Sequence, residues 1–463
     1  KKRGYRFVTV SELAGLQQAQ TMPPVEQREG FVPRADSVTF AILSTTGWFL
    51  HWLFIVGIVL GVARLVFIGT VALAQKIRAL RRERSVAAAV FNPFVSVIVP
   101  AYMEECVIAK TIRSLLASDY QSYEIIVVDD GSSDRTSEVV QDEFGTDARV
   151  RLFTIENSGK AEALNFGLRH AQGEIVIGLD ADTLFDSQTL PALVGRFADA
   201  HVGAVAGNAK VGNRINTVTR WQALEYITAQ NLDRRAFASL NCITVVPGAV
   251  GAWRRDLLER AGGFSSDTLA EDQDLTLRVR KLGYKIGYEE TAIAWTEAPD
   301  TLKGLSQQRF RWSFGTLQCM WKHRDALFNP RYGSLGFIAM PNVWVFQIFF
   351  QLISPVMDLL MLWSLLSAVI NRFEHGAEYN SSNLKQVLFY YALFLLVDWL
   401  AAAFAFVLEK REQWSLLWWL FLQRFAYRQV MYAVMVKSVV AAGRGAIVDW
   451  GKLDRKATAE VPA

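Results

Sequence analysis

Residues 41–74 are almost continuously apolar, long enough for a helix to cross a bilayer. The run is too long, and too far from the start, for a secretory signal peptide. Trp48 and Trp52 are placed to mark one interface, and Arg64 to snorkel toward the basic side. Behind the run come Lys76, Arg78, Arg81, Arg82 and Arg84. By the positive-inside rule this end is cytoplasmic and residues 1–40 lie outside. Of the 463 residues, however, 20% are charged against 51% hydrophobic, which requires a soluble domain joined to membrane segments. A net charge of +4 carries no nucleic-acid footprint. Cys106, Cys242 and Cys319 are few, odd in number and far apart, so they read as buried free thiols. The five scattered histidines make a His-based metal centre a poor fit.

From residue 94 to 323 the pattern is short apolar strands alternating with amphipathic helices. Phe94–Val99, Glu124–Val128, Val150–Ile155 and Glu174–Leu179 read as strands, and Cys106–Ala117, Thr136–Phe144, Lys160–His170 and Ser187–Ala200 as helices. This alternation predicts a mostly parallel, Rossmann-like α/β sheet with right-handed crossovers. Ligands bind at the carboxyl ends of such strands. Three of those ends are acidic: Val99–Glu105, Asp129–Asp134 and Asp180-Ala-Asp182. On an extended backbone Asp180 and Asp182 share one face, a hard-oxygen pair suited to Mg²⁺ or Mn²⁺ with substrate phosphates. Asp129 is placed to accept hydrogen bonds from a nucleoside, and Gly131 to let backbone approach closely. As an alternative, Asp130-Gly131 is an ordinary turn with Ser132 or Asp134 as a helix cap. Lys160 opens a helix, against the dipole, and a nearby phosphate would remove that conflict. Glu271 and Asp274 flank Asp272 and would raise its pKa; the plain alternative is an acidic helix start.

Taken in order, Val99–Glu105, Asp129–Ser132, Asn157–Asn165, Asp180-Ala-Asp182, Glu271-Asp272 and Gln308-Arg-Phe-Arg-Trp312 resemble the processive family 2 glycosyltransferases. That group contains poly-N-acetylglucosamine, chitin-oligosaccharide, hyaluronan and cellulose synthases. Gly207–Asn216, Arg220–Tyr226 and Trp450–Arg455 look most like the aminosugar branch. Met103 departs from the resemblance, since the family commonly has Asn there, and puts a polar contact from this position in doubt. The resemblance implies a GT-A fold, a UDP-sugar donor, Mg²⁺ or Mn²⁺, a growing polysaccharide acceptor and inversion at the anomeric carbon. It also implies roles. Pro100, Tyr102, Glu104, Asp129, Lys160, Asp180, Gln308 and Arg311 would bind the nucleotide sugar. Asp182 and Asp180 would hold metal, and Asp272 would act as base. Glu271, Trp312, Pro247 and Gly248 would face the acceptor. Gly4–Leu13, read as a strand entering a helix capped by Ser11, resembles the closing segment of polysaccharide deacetylases, which favours an N-acetylated polymer.

The expected organisation follows: an extracytoplasmic deacetylase-like tail and linker (1–40), a transmembrane helix (41–74) and a basic cytoplasmic linker (75–93). Then come the GT-A domain (94–323), an interfacial segment (324–342), about three membrane or interfacial helices (343–442) and a tail (443–463). Pro341 and Pro355 would break or kink the first of these helices, and Arg424 and Arg428 interrupt Trp414–Ala442. Asp358, Asp398, Arg424 and Arg428 either line a polar glycan path or pair with one another. The expected activity is processive polymerisation of N-acetylglucosamine from UDP-N-acetylglucosamine at an inner membrane, with translocation of the product. The alternatives are a glucan synthase using UDP-glucose, transfer to a lipid carrier, and an inactive glycan transporter or scaffold. The donor, the polysaccharide and the lipid bilayer are the expected partners; no protein partner is indicated.

Overall fold

The computed structural model describes residues 8–17, 20, 31–83, 91–375, 382–409, 411–445 and 455–461. Packing divides the chain into Lys1–Val62 and Ala63–Ala463. In the first unit, Val10–Leu13 is a single helical turn. Its cap is Thr9 rather than Ser11, because Thr9 and Glu12 bond each other's backbone N–H reciprocally at 3.3 and 3.0 Å. The expected strand before it starts at residues 4–7, outside the described residues.

The helix Phe31–Glu83 continues through the apolar run and past the expected linker boundary. Among the described residues, three helices are long and apolar enough to cross a membrane: Val38–Ala79, Leu335–Glu374 and Tyr391–Leu408. Pro341 does not break the second. The turns on either side, Leu335–Ala339 and Val343–Phe349, widen to π-helix, and Pro355 is carried inside Phe350–His375. Trp414–Ala442 is not a continuous helix: Trp419–Phe425 stops at Ala426 and Tyr427–Gly443 restarts.

Among the described residues, eight strands form one sheet. They are β1 (Val95–Ala101), β2 (Tyr123–Asp129), β3 (Val150–Thr154), β4 (Ile175–Gly178), β5 (Thr183–Phe185), β6 (Val202–Val211), β7 (Gly251–Arg254) and β8 (Lys285–Thr296). Their order is β3-β2-β1-β4-β7-β6-β8-β5. The first four pair in parallel, as the alternation predicts. β7 then runs antiparallel to both β4 and β6, β8 runs parallel to β6, and β5 antiparallel to β8. Val95, Val97, Ile98 and Val99 of β1 and Ile125 to Val128 of β2 are fully buried, as unbroken apolar strands covered on both faces must be. This mixed, mostly parallel sheet is a GT-A fold.

A buried chain of charges ties the sheet to the helices. Lys76 lies 2.6 Å from Glu290 on β8, and Arg235 bonds Glu290 and reaches Glu409 at 3.1 Å. Lys210 on β6 meets Glu412 at 2.8 Å. Each burial costs several kcal/mol unless the partner is in place, so the network enforces one register between sheet and helices.

Candidate active site

A cavity of about 1500 Å³ opens at the carboxyl ends of β1, β2 and β4 and extends to the helical part of the second unit. Asp180 and Asp182 both line it, although neither stands on a strand. β4 ends at Gly178, and both acids occupy the turn into β5. They converge through that turn, not through strand alternation.

Lys160 meets Asp180 at 2.7 Å and Glu271 at 2.9 Å. Those carboxylates offset its charge at the helix start. Burial alone would lower the ammonium pKa, but Asp180 and Glu271 override it and hold Lys160 above the usual lysine range. Asp180 falls below the usual carboxylate range, since Lys160 beside it outweighs burial. Asp182 moves the other way: burial and the like charge of Asp180 outweigh the Arg455 guanidinium, 2.6 Å from its carboxylate. Arg455, from the segment 455–461, is a site residue that sequence reasoning assigned no role. Residues 450–454 of the motif carrying it lie outside the described residues.

Asp272 stands at the start of the helix Glu271–Lys281. Burial and then Glu271 push its pKa up to about 6. Asp274 is engaged elsewhere. It is fully buried and paired with Arg278 at 2.7 Å and with Lys322 and His323 at 2.8 Å, which hold it far below the usual range. The backbone N–H of Gly248 donates to Asp272 Oδ2 at 3.2 Å, so Gly248 orients the acid expected to be the base. Pro247 and Gly248 also line the cavity. A Cβ on Gly248 would lie 3.0 Å from the Lys160 ammonium, a tight contact that would press on the lysine and its carboxylate partners.

Pro100, Tyr102, Glu104, Gln308, Arg311 and Trp312 face the same cavity. Burial lowers the Arg311 pKa, the neighbouring Arg455 adds to this, and Asp180, Glu271 and Asp182 oppose it. Asp129 is not in the cavity wall: it is 1% exposed and accepts from Ser132 N at 2.9 Å and from the Ser137 hydroxyl. Asp130 fastens the turn leading to Lys160, accepting from Ser158 N at 2.8 Å and Gly159 N at 2.9 Å. Gly131, at φ 72°, lies so close that a Cβ would stand 2.9 Å from Asn157 N.

Trp312 is held by groups the motif did not single out. The Arg309 guanidinium sits 4.1 Å over its ring, and Glu225 at 2.6 Å and the Tyr427 hydroxyl at 3.2 Å pin Arg309. The ring of Tyr226 lies 6.4 Å from that of Trp312. Asn-rich or carboxylate-rich spacing would not reveal this cluster, because it joins three segments distant in sequence.

In the helical part Arg64 does not snorkel: it bonds Asp233 at 2.6 Å and Asn342 at 2.7 Å. Asp398 pairs with Arg424 at 3.0 Å and Arg428 at 2.6 Å, and Asp358 meets Gln429 at 2.9 Å. Asp398 and Arg428 are ion-paired and also line the cavity. Of the thiols, Cys242 and Cys319 are buried as expected, and burial pushes Cys242 up to about 12. Cys106 is exposed, because it precedes the helix Ile108–Leu116 in a surface turn.

Residues 92–315 match the family described as Glycosyltransferase like family 2. That stretch, just under half of the chain, is what is similar to the family. Over 223 residues the chain is 31% identical to the poly-β-1,6-N-acetyl-D-glucosamine synthase of Staphylococcus epidermidis, covering 48% of this chain and 54% of that one. The synthase of Staphylococcus aureus strain MSSA476 matches over 222 residues, also at 31%. The chain thus spans about half the length of these relatives. Among solved structures, the mannosyltransferase PcManGT from Pyrobaculum calidifontis, in complex with GDP-Man and Mn²⁺, aligns with a TM-score of 0.52. The alignment covers 81% of this chain and 98% of that one at 24% identity, which shows a shared fold.

Proposed function

We propose that this protein is a membrane-embedded, inverting, processive β-glycosyltransferase that polymerises N-acetylglucosamine from UDP-N-acetylglucosamine and passes the product across the membrane. The observation that carries the reading is the single cavity. It joins the acids at the sheet edge, the Trp312 ring and the apolar helices without a break. An enzyme that released a disaccharide would need no such continuation. The similarity to poly-β-1,6-N-acetyl-D-glucosamine synthases supports the aminosugar.

Asp272, ionised above its raised pKa, takes the proton from the acceptor hydroxyl as that oxygen attacks the anomeric carbon. UDP departs from the opposite side with the bonding electron pair. Arg311 and Gln308 face the departing diphosphate, and Trp312 offers an apolar face to the acceptor sugar. The donor set fits a divalent cation. Asp180 and Asp182 present only carboxylate oxygens, and no group of three or more His, Cys, Asp or Glu ligands occurs among the described residues. The rest of the shell would then come from water and diphosphate, the usual arrangement for Mg²⁺ and also open to Mn²⁺. Such an ion supplies charge neutralisation on the leaving group. In this reading the glycosyltransferase domain is cytoplasmic and the N-terminus lies outside, as the basic residues after the first apolar run favour.

Purified protein in lipid nanodiscs, given UDP-N-acetylglucosamine or UDP-glucose with Mg²⁺ or Mn²⁺, should form a long β-linked N-acetylglucosamine polymer. Incorporation of glucose alone, or transfer of one unit only, overturns the reading.

A further inference from the structure

Arg234 is a lining cation held, among the described residues, only by neutral amide oxygens of its own helical stretch. It stands on the helix Leu232–Ser239 and faces the cavity. Arg64, Lys160, Arg309, Arg428 and Arg455, which line the same space, each lie 2.6–2.7 Å from a carboxylate. Among the described residues, Arg234 forms no ion pair with a carboxylate. Its hydrogen bonds reach the amide oxygens of Asn231 and Gln230, both at 3.3 Å. A guanidinium carries five N–H donors and no acceptor, so donor capacity remains for a ligand.

Its place in the cavity limits what that ligand is. Tyr226 opens the π-helical turn Tyr226–Asn231 just before it, and the Tyr226 ring neighbours Trp312. The adjoining Asp233 is taken by Arg64, and Asp272 lies within electrostatic reach of Arg234. Arg234 therefore shares one cavity with the base and the aromatic platform.

We propose that Arg234 determines acceptor specificity, donating to the acetamide carbonyl of the terminal sugar and rejecting a terminal sugar that carries a free ammonium group. This rests on the N-acetylglucosamine reading above. A neutral carbonyl satisfies the spare donors without adding charge. An ammonium at the same place sets a second cation against Arg234, whose own hydrogen bonds go to neutral amides and not to a carboxylate. The filter keeps the enzyme from extending ends that have lost the acetyl group.

The test uses the full chain in nanodiscs with saturating UDP-N-acetylglucosamine. Short N-acetylglucosamine oligomers serve as acceptors, with the terminal unit either acetylated or free. Acceptor kcat/KM should favour the acetylated end by roughly 10–100-fold at neutral pH. The gap should narrow as pH rises and the ammonium deprotonates. Arg234→Gln should close most of the gap by improving use of the free amine. Arg234→Lys should keep the rejection, which needs only charge, while raising KM for the acetylated end. Equal use of both acceptors by the parent overturns the proposal, as does a variant pair that slows both acceptors alike, which is the signature of a structural role. A parent that prefers an acceptor ending in an acidic sugar also overturns it. Transfer from UDP-N-acetylglucosamine without discrimination sinks this inference alone. Failure to transfer from that donor to any acceptor sinks the proposed function with it.

Discussion

Met103 sits at φ 54°, in the left-handed region that costs an L side chain about 1–2 kcal/mol and that Asn tolerates best. The Asn common in similar sequences is therefore explained by the turn, with no contact to the donor required. Met103→Asn should stabilise the fold by roughly 0.5–1 kcal/mol in thermal unfolding. A loss of stability would mean that the Met103 sulfur, 3.8 Å from the Ser133 hydroxyl, contributes more than the strain costs. Asp272 carries a different expectation. A carboxyl is a base only when ionised, so activity is present above its raised pKa of about 6 and lost below it. The rate should fall about tenfold per pH unit on the acid side. Asp272→Asn should lose about 10²–10⁴-fold in kcat and abolish that limb while still binding UDP-sugar. An unaltered acid limb in the variant would assign it to another group.

The helix Leu302–Lys322 turns a five-residue motif into a working surface. Gln308, Arg311 and Trp312 reach the cavity from it, while Arg309 stacks on Trp312 and is locked by Glu225 and Tyr427. Arg309→Met should cost roughly 2–3 kcal/mol, since it removes a buried charge partner and the ring contact. It should also raise the acceptor KM and shorten the product, with the donor KM unchanged. Product of normal length from a destabilised variant would show that packing alone positions Trp312. The Glu271–Lys281 helix sorts its acids in the same way: its register gives Asp272 to the cavity and Asp274 to Arg278, Lys322 and His323.

At the scale of the molecule, the cavity runs past the glycosyltransferase domain to Asp398 and Arg428 in the helical part. Asp398 holds two guanidiniums, Arg424 and Arg428. Asp398→Asn should leave both under-compensated in the wall, so polymer length and delivery of labelled product across sealed vesicles should fall more than the rate of the first transfer. Equal losses in all three would place the effect in folding rather than in passage of the glycan.

The sequence determined what depends on local period and on spacing along the chain. Strand and helix alternation marked the four parallel strands and the helices between them, because burial imposes periods of two and 3.6 wherever an element has a core face. The apolar runs marked the three helices that, among the described residues, are long and apolar enough to cross a membrane, and the acidic strand ends with Gln308–Trp312 marked the resemblance. Only the tertiary structure decided which charges meet. Lys160 was legible as a cation at a helix start, but its partners Asp180 and Glu271 come from two other segments. Asp129 and Asp130 are adjacent and alike in composition, yet one closes its own turn and the other fastens the Lys160 loop. Arg309 and Arg455 lie inside stretches that carry the resemblance but had no role assigned, and Arg234 lacked a local signature altogether. The energy of a buried charge is set by the partner that folding brings within a few ångströms, and sequence spacing does not encode that distance.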